Sequence, residues 1–185
     1  MLKIAKQQTA KQQTFTWTNI LEVQSPLVEL FLGGIKEAYW AKNHLVRTLL
    51  KMMNAASSGG LQHVLNNHIE RTKSHTTKLE HIFELLDETI DATRNDSIAG
   101  LSIKANEVIE CTDEGTATRD LAIILVFQQI TQFEIATYGG LISAAATIGR
   151  NDLADIFNEI LDDETECMKH LISQNEIITL KAVRS

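Results

Sequence analysis

Polar side chains interrupt the apolar stripes of four predicted helices, each near the middle of its helix. Because the midpoints of antiparallel helices of similar length share one height, we expect these side chains to converge on one central layer. Inward-facing carboxylates and histidines at one height are how helical bundles bind two metal ions. The residues of this expected central polar cluster are Lys42, Arg71, His75, Thr131, Glu134 and Glu164, and His68 falls in the same interval of the second stripe.

The chain does not supply the usual ligands of a dimetal bundle, which are four glutamates and two histidines, with two of the glutamates in Glu-x-x-His pairs. The nearest pairs are Glu70 with His75, spaced by five residues, and Glu166 with His170, spaced by four. Neither has the required spacing of three. The pattern therefore argues against a dimetal centre.

The charges of the cluster point the same way. Two carboxylates, Glu134 and Glu164, face two cations, Lys42 and Arg71, so their formal sum is zero. A divalent cation entering such a dry pocket would meet repulsion on the order of several kcal/mol. We therefore predict a salt-bridged centre with no metal and no cofactor. If an ion does bind, the alternative is iron or manganese held by Glu134, Glu164 and His75, with oxidase or storage chemistry.

The helices that position these residues follow from apolar spacings of three and four. The stripes predict helices at about 26–54, 61–86, 117–148 and 152–177, and Ser25 with Pro26 reads as the start of the first. The short turns AASSGG and GRND make each half an antiparallel pair. Gly139 and Gly140, inside the third helix, suggest close contact with a neighbouring helix.

A long connection, about 91–116, joins the two pairs and holds a short helix at about 98–111, with Ser97 as its cap. Two antiparallel pairs joined by one long crossover predict an all-α, ferritin-like four-helix bundle. We expect the bundle domain to span 25–178, preceded by a polar, partly disordered arm, 1–24, that contains a tandem AKQQT repeat, and followed by a tail, 179–185.

Several segments, taken together and in order, resemble the YciE/YciF family of ferritin-like bacterial stress proteins. They are LFLGGIKEAYWAKNHL, HIERTKSHTTKLEHIFELL, NEVIECTDEGTATRD, QFEIATYGGL and EILDDETECMKHL. The resemblance implies a bundle that is usually dimeric, with a carboxylate-rich site for two metals in some members and no firmly assigned reaction. Lys42, Arg71 and Thr131 stand where the family usually has glutamates, and only Glu134 and Glu164 match. The resemblance therefore also implies a degenerate metal site.

Composition narrows the partners and the compartment. A net charge of −7 over 185 residues does not favour binding to nucleic acid or to an anionic membrane. No apolar run follows MLKIAK, so we expect no signal peptide and a cytoplasmic location. The favoured function is a non-enzymatic, homodimeric bundle with a structural or protein-interaction role. A weak metalloprotein and a bundle that binds a metal-free ligand in its centre remain the alternatives.

Overall fold

A computed structural model describes residues 25–184, so the predicted N-terminal arm, 1–24, and Ser185 lie outside the described residues. The described part of the chain is helical and contains no strand. Its helices are α1 Pro26–Ala55, α2 Gly59–Leu85, α3 Asp96–Glu110, α4 Ala117–Thr147 and α5 Asn151–Arg184.

The topology is the predicted four-helix bundle with one long crossover. α1 packs against α2 and α4 packs against α5, while contacts between α2 and α5 and between α1 and α4 close the bundle. The crossover returns along α1, because the Thr93 amide donates to the Lys36 carbonyl at 3.2 Å and α3 packs on both α1 and α4. The all-α, ferritin-like prediction is confirmed.

Two helix ends differ from the sequence expectation. α3 begins at Asp96, where the side chain of Asn95, and not that of Ser97, accepts a hydrogen bond from the Ile98 amide at 3.0 Å. α5 continues to Arg184, beyond the predicted end near 177. The segment 179–184 of the predicted tail is therefore part of the last helix.

The core consists of two apolar clusters, one in each half of the bundle. One cluster contains Leu45, Leu65, Phe127 and Leu171, and the other contains Phe31, Phe83, Tyr138 and Phe157. The buried polar residues of the four long helices lie between them along the bundle axis. The sequence interruptions thus correspond to a polar layer that divides the core.

A buried carboxylate holds the turn between α1 and α2. Asp120, in the first turn of α4, accepts hydrogen bonds from the amides of Ser57 and Ser58 at 2.7 and 2.9 Å and from the Ser57 hydroxyl at 2.8 Å. An anion here satisfies amides at the start of α2 and is favoured by the helix dipole. Asp120 therefore ties the two helix pairs together at one end of the bundle.

The glycines of α4 do not mark a close helix contact. A Cβ added at Gly139 or Gly140 would meet nothing within 4 Å, so that expectation is wrong. The close approach is at Gly34 of α1, where a Cβ would lie 3.0 Å from the Leu141 side chain.

α4 is the one described helix that is long and apolar enough to span a membrane, a property that core helices of bundles share.

Candidate functional site

A lysine ammonium occupies the centre of the polar layer. Lys42 lies on the inward stripe of α1 between Ala38 and Leu45, and its side chain is fully buried. Its Nζ lies 2.5 Å from Oε1 of Glu134 on α4 and 2.6 Å from Oε1 of Glu164 on α5. One ammonium therefore bridges carboxylates from two other helices.

The electrostatics of the layer follow from burial opposed by this pairing. Burial alone would lower the pKa of Lys42, but the carboxylates of Glu134 and Glu164 outweigh it and raise that pKa, so the ammonium stays charged. Burial likewise favours protonated Glu164, yet Lys42 lowers its pKa well below the ordinary value. Burial and the negative Glu164 raise the pKa of Glu134 to about 7. At neutral pH the layer therefore contains one full ion pair and a second carboxyl that is partly protonated.

His68 of α2 faces the two carboxylates. Its Nε2 lies 3.7 Å from Oε2 of Glu164 and 4.0 Å from Oε2 of Glu134, and its ring packs against Phe127 with centroids 5.1 Å apart. Burial lowers the pKa of His68 to about 4, despite the opposing effect of Glu164. His68 is therefore neutral at physiological pH and leaves the charge balance to Lys42 and the carboxyls.

His75 is also buried, two helical turns further along α2. Its Nδ1 lies 3.5 Å from Oε1 of Glu164, and its Nε2 lies 3.0 Å from Oδ2 of Asp163. Asp163 is about one-third exposed and sits on the rim of the layer. His75 thus links the buried carboxylate to a carboxylate at the surface.

Arg71 does not lie in the buried centre where the sequence reasoning placed it. Its side chain is 38% exposed, donates to the Asp163 carbonyl at 3.1 Å and approaches Oδ1 of Asp163 at 3.5 Å. The expected balance of two cations against Glu134 and Glu164 is therefore wrong for the centre. With no second cation in the centre, burial and the negative Glu164 raise the pKa of Glu134, which favours its neutral form.

The heptad spacing of α2 would have identified the inward residues. Positions 61, 65, 68, 72, 75, 79, 82 and 86 recur at steps of three and four, and all of them are buried. This series places His68, Thr72 and His75 inside and leaves Arg71 on the flank. Sequence reasoning also missed Asp163, which the run of acids at 162–164 could have indicated as a partner for the rim arginine.

Several buried polar atoms of the layer have no hydrogen-bond partner among the described residues. Because such atoms are costly to leave unpaired, each is a candidate to bind a water or an ion. They are both ring nitrogens of His68, Nδ1 of His75, the hydroxyls of Thr72 and Thr131, and Oε2 of Glu134 and of Glu164. His68, Glu134 and Glu164 can each offer one ligand atom within 4.8 Å of the others, so His68 joins the two carboxylates where His75 was expected.

A dimetal centre does not fit these residues. The Oε1 atoms of both carboxylates are bound by the ammonium of Lys42, and Thr131 offers a neutral hydroxyl instead of a carboxylate. A cleft of about 100 Å³ between α2 and α5 reaches the outer side of His68 and is lined by His63, Asn67, Arg71, Cys167 and His170. Among the described residues, the layer therefore leaves at most His68 and the second oxygen of each carboxylate for a single small ion.

Comparisons with known proteins agree on the family and the fold. A family model described as a domain of unknown function, DUF892, matches residues 26–183. Protein YciF of Escherichia coli (strain K12) is 30% identical over 138 residues, which is 74% of this chain and 82% of that protein.

Solved structures show the same bundle. The E. coli stress protein YciF aligns with a TM-score of 0.80 and 28% identity, covering 84% of this chain and 98% of that one. YcfI from Rhodopseudomonas palustris aligns with a TM-score of 0.76 and 28% identity, covering 80% and 93% of the two chains. A protein from Xanthomonas campestris aligns with a TM-score of 0.69 at 21% identity, over 85% and 97%, which supports the fold alone.

Proposed function

Because this chain belongs to the DUF892 family of YciF-like proteins, we propose that it is a non-enzymatic helical bundle in which a lysine-bridged carboxylate pair stands where other bundles of this topology hold metal. The observation that carries the proposal is the position of Lys42 Nζ, 2.5 and 2.6 Å from carboxylates of two different helices. Its role is structural or in protein interaction, with a part in stress response suggested by the likeness to the stress protein YciF.

The polar layer supports a structural role because it favours one alignment of the helices along the bundle. A buried ion pair adds little net stability over an apolar layer, but removing one partner typically costs about 3–5 kcal/mol. Lys42, Glu134 and Glu164 come from three helices, so a helix shifted by one turn along the bundle would leave a charge unpaired. The layer thus fixes the register of α1, α4 and α5.

Metal analysis tests the proposal directly. The full chain is purified without chelator and its iron and manganese are measured after desalting, before and after anaerobic incubation with Fe²⁺ and with Mn²⁺. We expect no retained metal in the parent. Lys42→Glu removes the ammonium and adds a carboxylate, so we expect it to retain metal. Lys73→Glu, an equal charge change at an exposed site of α2, is the matched control and is expected to behave like the parent.

A second candidate is a weak iron or manganese protein with a single ion. The observation that favours it is the set of unpartnered, buried donors on His68, Glu134 and Glu164. Near-stoichiometric metal retained by the parent, and lost in His68→Phe, would establish this candidate and overturn the metal-free proposal. If the metal is instead lost in His75→Phe, the ligands are those expected from the sequence, Glu134, Glu164 and His75.

Assembly and location form the rest of the proposal. We assign the chain to the cytoplasm and expect a homodimer, as the YciF-like resemblance implies. Light scattering coupled to size-exclusion chromatography measures the mass against the 20.7 kDa of one chain. A mass near that of one chain at micromolar concentration would refute the dimer without affecting the assignment of the polar layer.

A further inference from the structure

A groove of about 400 Å³ lies between α1 and α3, away from the polar layer. Basic side chains from α1 and from the crossover surround it, namely Arg47, Lys51 and Arg94, with His44 beside them. No aspartate or glutamate is among the described residues that line it. In a chain of net charge −7, this groove concentrates positive charge at one place.

The cations of the groove are incompletely neutralised. Arg47 is exposed and forms no ion pair with any residue in the described range 25–184. Lys51 contacts only the amide oxygen of Asn106, at 3.3 Å. Arg94 pairs through Nε with Asp96 at 2.9 Å, but that carboxylate is 89% exposed, so its charge is largely screened by solvent. Guanidinium groups with free donor faces are the usual ligands of phosphate oxygens.

An aromatic wall and a polar floor complete the groove. Trp40 stacks on His44 with ring centroids 4.5 Å apart and an interplanar angle of 13°. The floor contains two buried hydroxyls, since Thr48 donates to Ser102 at 3.0 Å. Burial lowers the pKa of His44, and the positive charges of Arg47 and Arg94 lower it further.

We propose that this groove binds the phosphate group of a small soluble molecule, with Arg47, Lys51 and Arg94 as its ligands and Trp40 as a platform for a planar group. The volume is within the range of pockets that hold ligands of nucleotide size. The chain's own residues 1–24 do not suit the groove, because they contain three lysines and a single glutamate. The proposal is independent of the metal-free layer, from which the groove is separated by the body of α1.

Trp40 provides the readout. The chain has two tryptophans, so Trp17→Phe leaves Trp40 as the only indole. Pyrophosphate, ADP and adenosine are titrated at constant ionic strength while Trp40 fluorescence is followed. Calorimetry on the unaltered full chain repeats the pyrophosphate and ADP titrations, so the result does not depend on the substitution. We expect saturable binding of pyrophosphate and ADP but not of adenosine.

Variants localise the binding. Arg47→Gln is expected to weaken pyrophosphate binding about tenfold, the effect of losing one charge-assisted contact. Lys104→Gln removes a positive charge from α3 outside the groove, where Lys104 pairs with Glu107; it is the matched control and is expected to bind like the parent. The proposal is overturned if neither pyrophosphate nor ADP binds at about 5 mM, if Arg47→Gln binds as tightly as the control, or if only vesicles containing phosphatidic acid are bound.

Discussion

Lys42→Met is the most informative perturbation of the polar layer. Methionine has a similar length and no charge, so the substitution removes the ammonium and leaves the side chains of Glu134 and Glu164 buried, with exposures of 4% and 0%. No other cation of the described residues reaches either carboxylate in the centre, because Arg71 contacts Asp163 on the rim. Two like charges would then share a dry site.

The expected cost at pH 7 is about 3–5 kcal/mol of unfolding free energy, the usual effect of breaking a buried ion pair. Domains are commonly stable by about 5–15 kcal/mol, so the loss is a large fraction of the total. With a urea m-value of about 2 kcal/mol/M for a domain of this size, the midpoint should fall by about 2 M.

The loss should also depend on pH. Without Lys42, burial raises the pKa of both carboxyl groups above their unfolded value. A group whose folded pKa is raised loses stability as pH rises from the unfolded pKa through the folded one. The difference between Lys42→Met and the parent should therefore be smaller at pH 5 than at pH 7.

Urea unfolding followed by circular dichroism at both pH values measures these differences. Replacing the whole layer, as Lys42→Met with Glu134→Leu and Glu164→Leu, should recover most of the stability, because no charge is left unpaired. Lys36→Met, which breaks an exposed pair with Asp91, should leave the urea midpoint close to that of the parent. A loss below about 1 kcal/mol in Lys42→Met at pH 7, or an equal loss at pH 5, would refute the reasoning.

Three further predictions concern separate features of the bundle. The pKa of His68 is lowered to about 4, so His68 contributes stability above its unfolded pKa near 6.5, and this stability is lost as pH falls toward 4. The pKa of Glu134 is raised to about 7, so Glu134 contributes stability below its unfolded pKa near 4.5, and this stability is lost as pH rises to 7. The two slopes oppose each other, so His68→Phe should show a decline in urea midpoint from pH 4.5 to 7 that is steeper than in the parent; an unchanged profile would contradict this. Gly140→Ala, where a Cβ meets open space, should raise stability by about 1 kcal/mol, while Gly34→Ala, which meets a leucine of α4, should gain less or lose stability in the same thermal unfolding assay. Asp120→Asn should lower the free energy of unfolding in urea by about 1.5–3 kcal/mol, because the amides of Ser57 and Ser58 lose a charged acceptor. A loss below about 0.5 kcal/mol would show that the charge of Asp120 is not needed to hold the turn between α1 and α2.

Local patterns were sufficient to predict the helices and their connection. Apolar spacings of three and four reflect the 3.6-residue turn, and loop length limits whether successive helices can be antiparallel neighbours. The predicted starts of α1 and α4 agree with the structure, whereas the predicted start of α3 and the predicted end of α5 do not. Helix ends depend on single capping contacts, such as the one from Asn95, which periodicity does not report.

The polar layer was only partly predictable, because residues near one another on a helix differ by small rotations. Arg71 lies three residues from His68 and thus about 60° away around α2, which is enough to move a side chain from the centre to the rim. The heptad series contained this distinction for α2. The series could not reveal that Arg71 pairs with Asp163 of α5, because that contact joins helices of the two different pairs.

The sequence by itself determined the fold class, the order of the helices and the height at which Lys42, Glu134 and Glu164 would lie, since each of these follows from spacing along the chain. Only the tertiary structure decided which atoms meet. It joined one ammonium to two carboxylates, left the second oxygen of each facing His68, and brought Arg47 of α1 beside Arg94 of the crossover. The physical reason is that charge pairing and burial act through space over a few ångströms, and the relevant residues are distant along the chain.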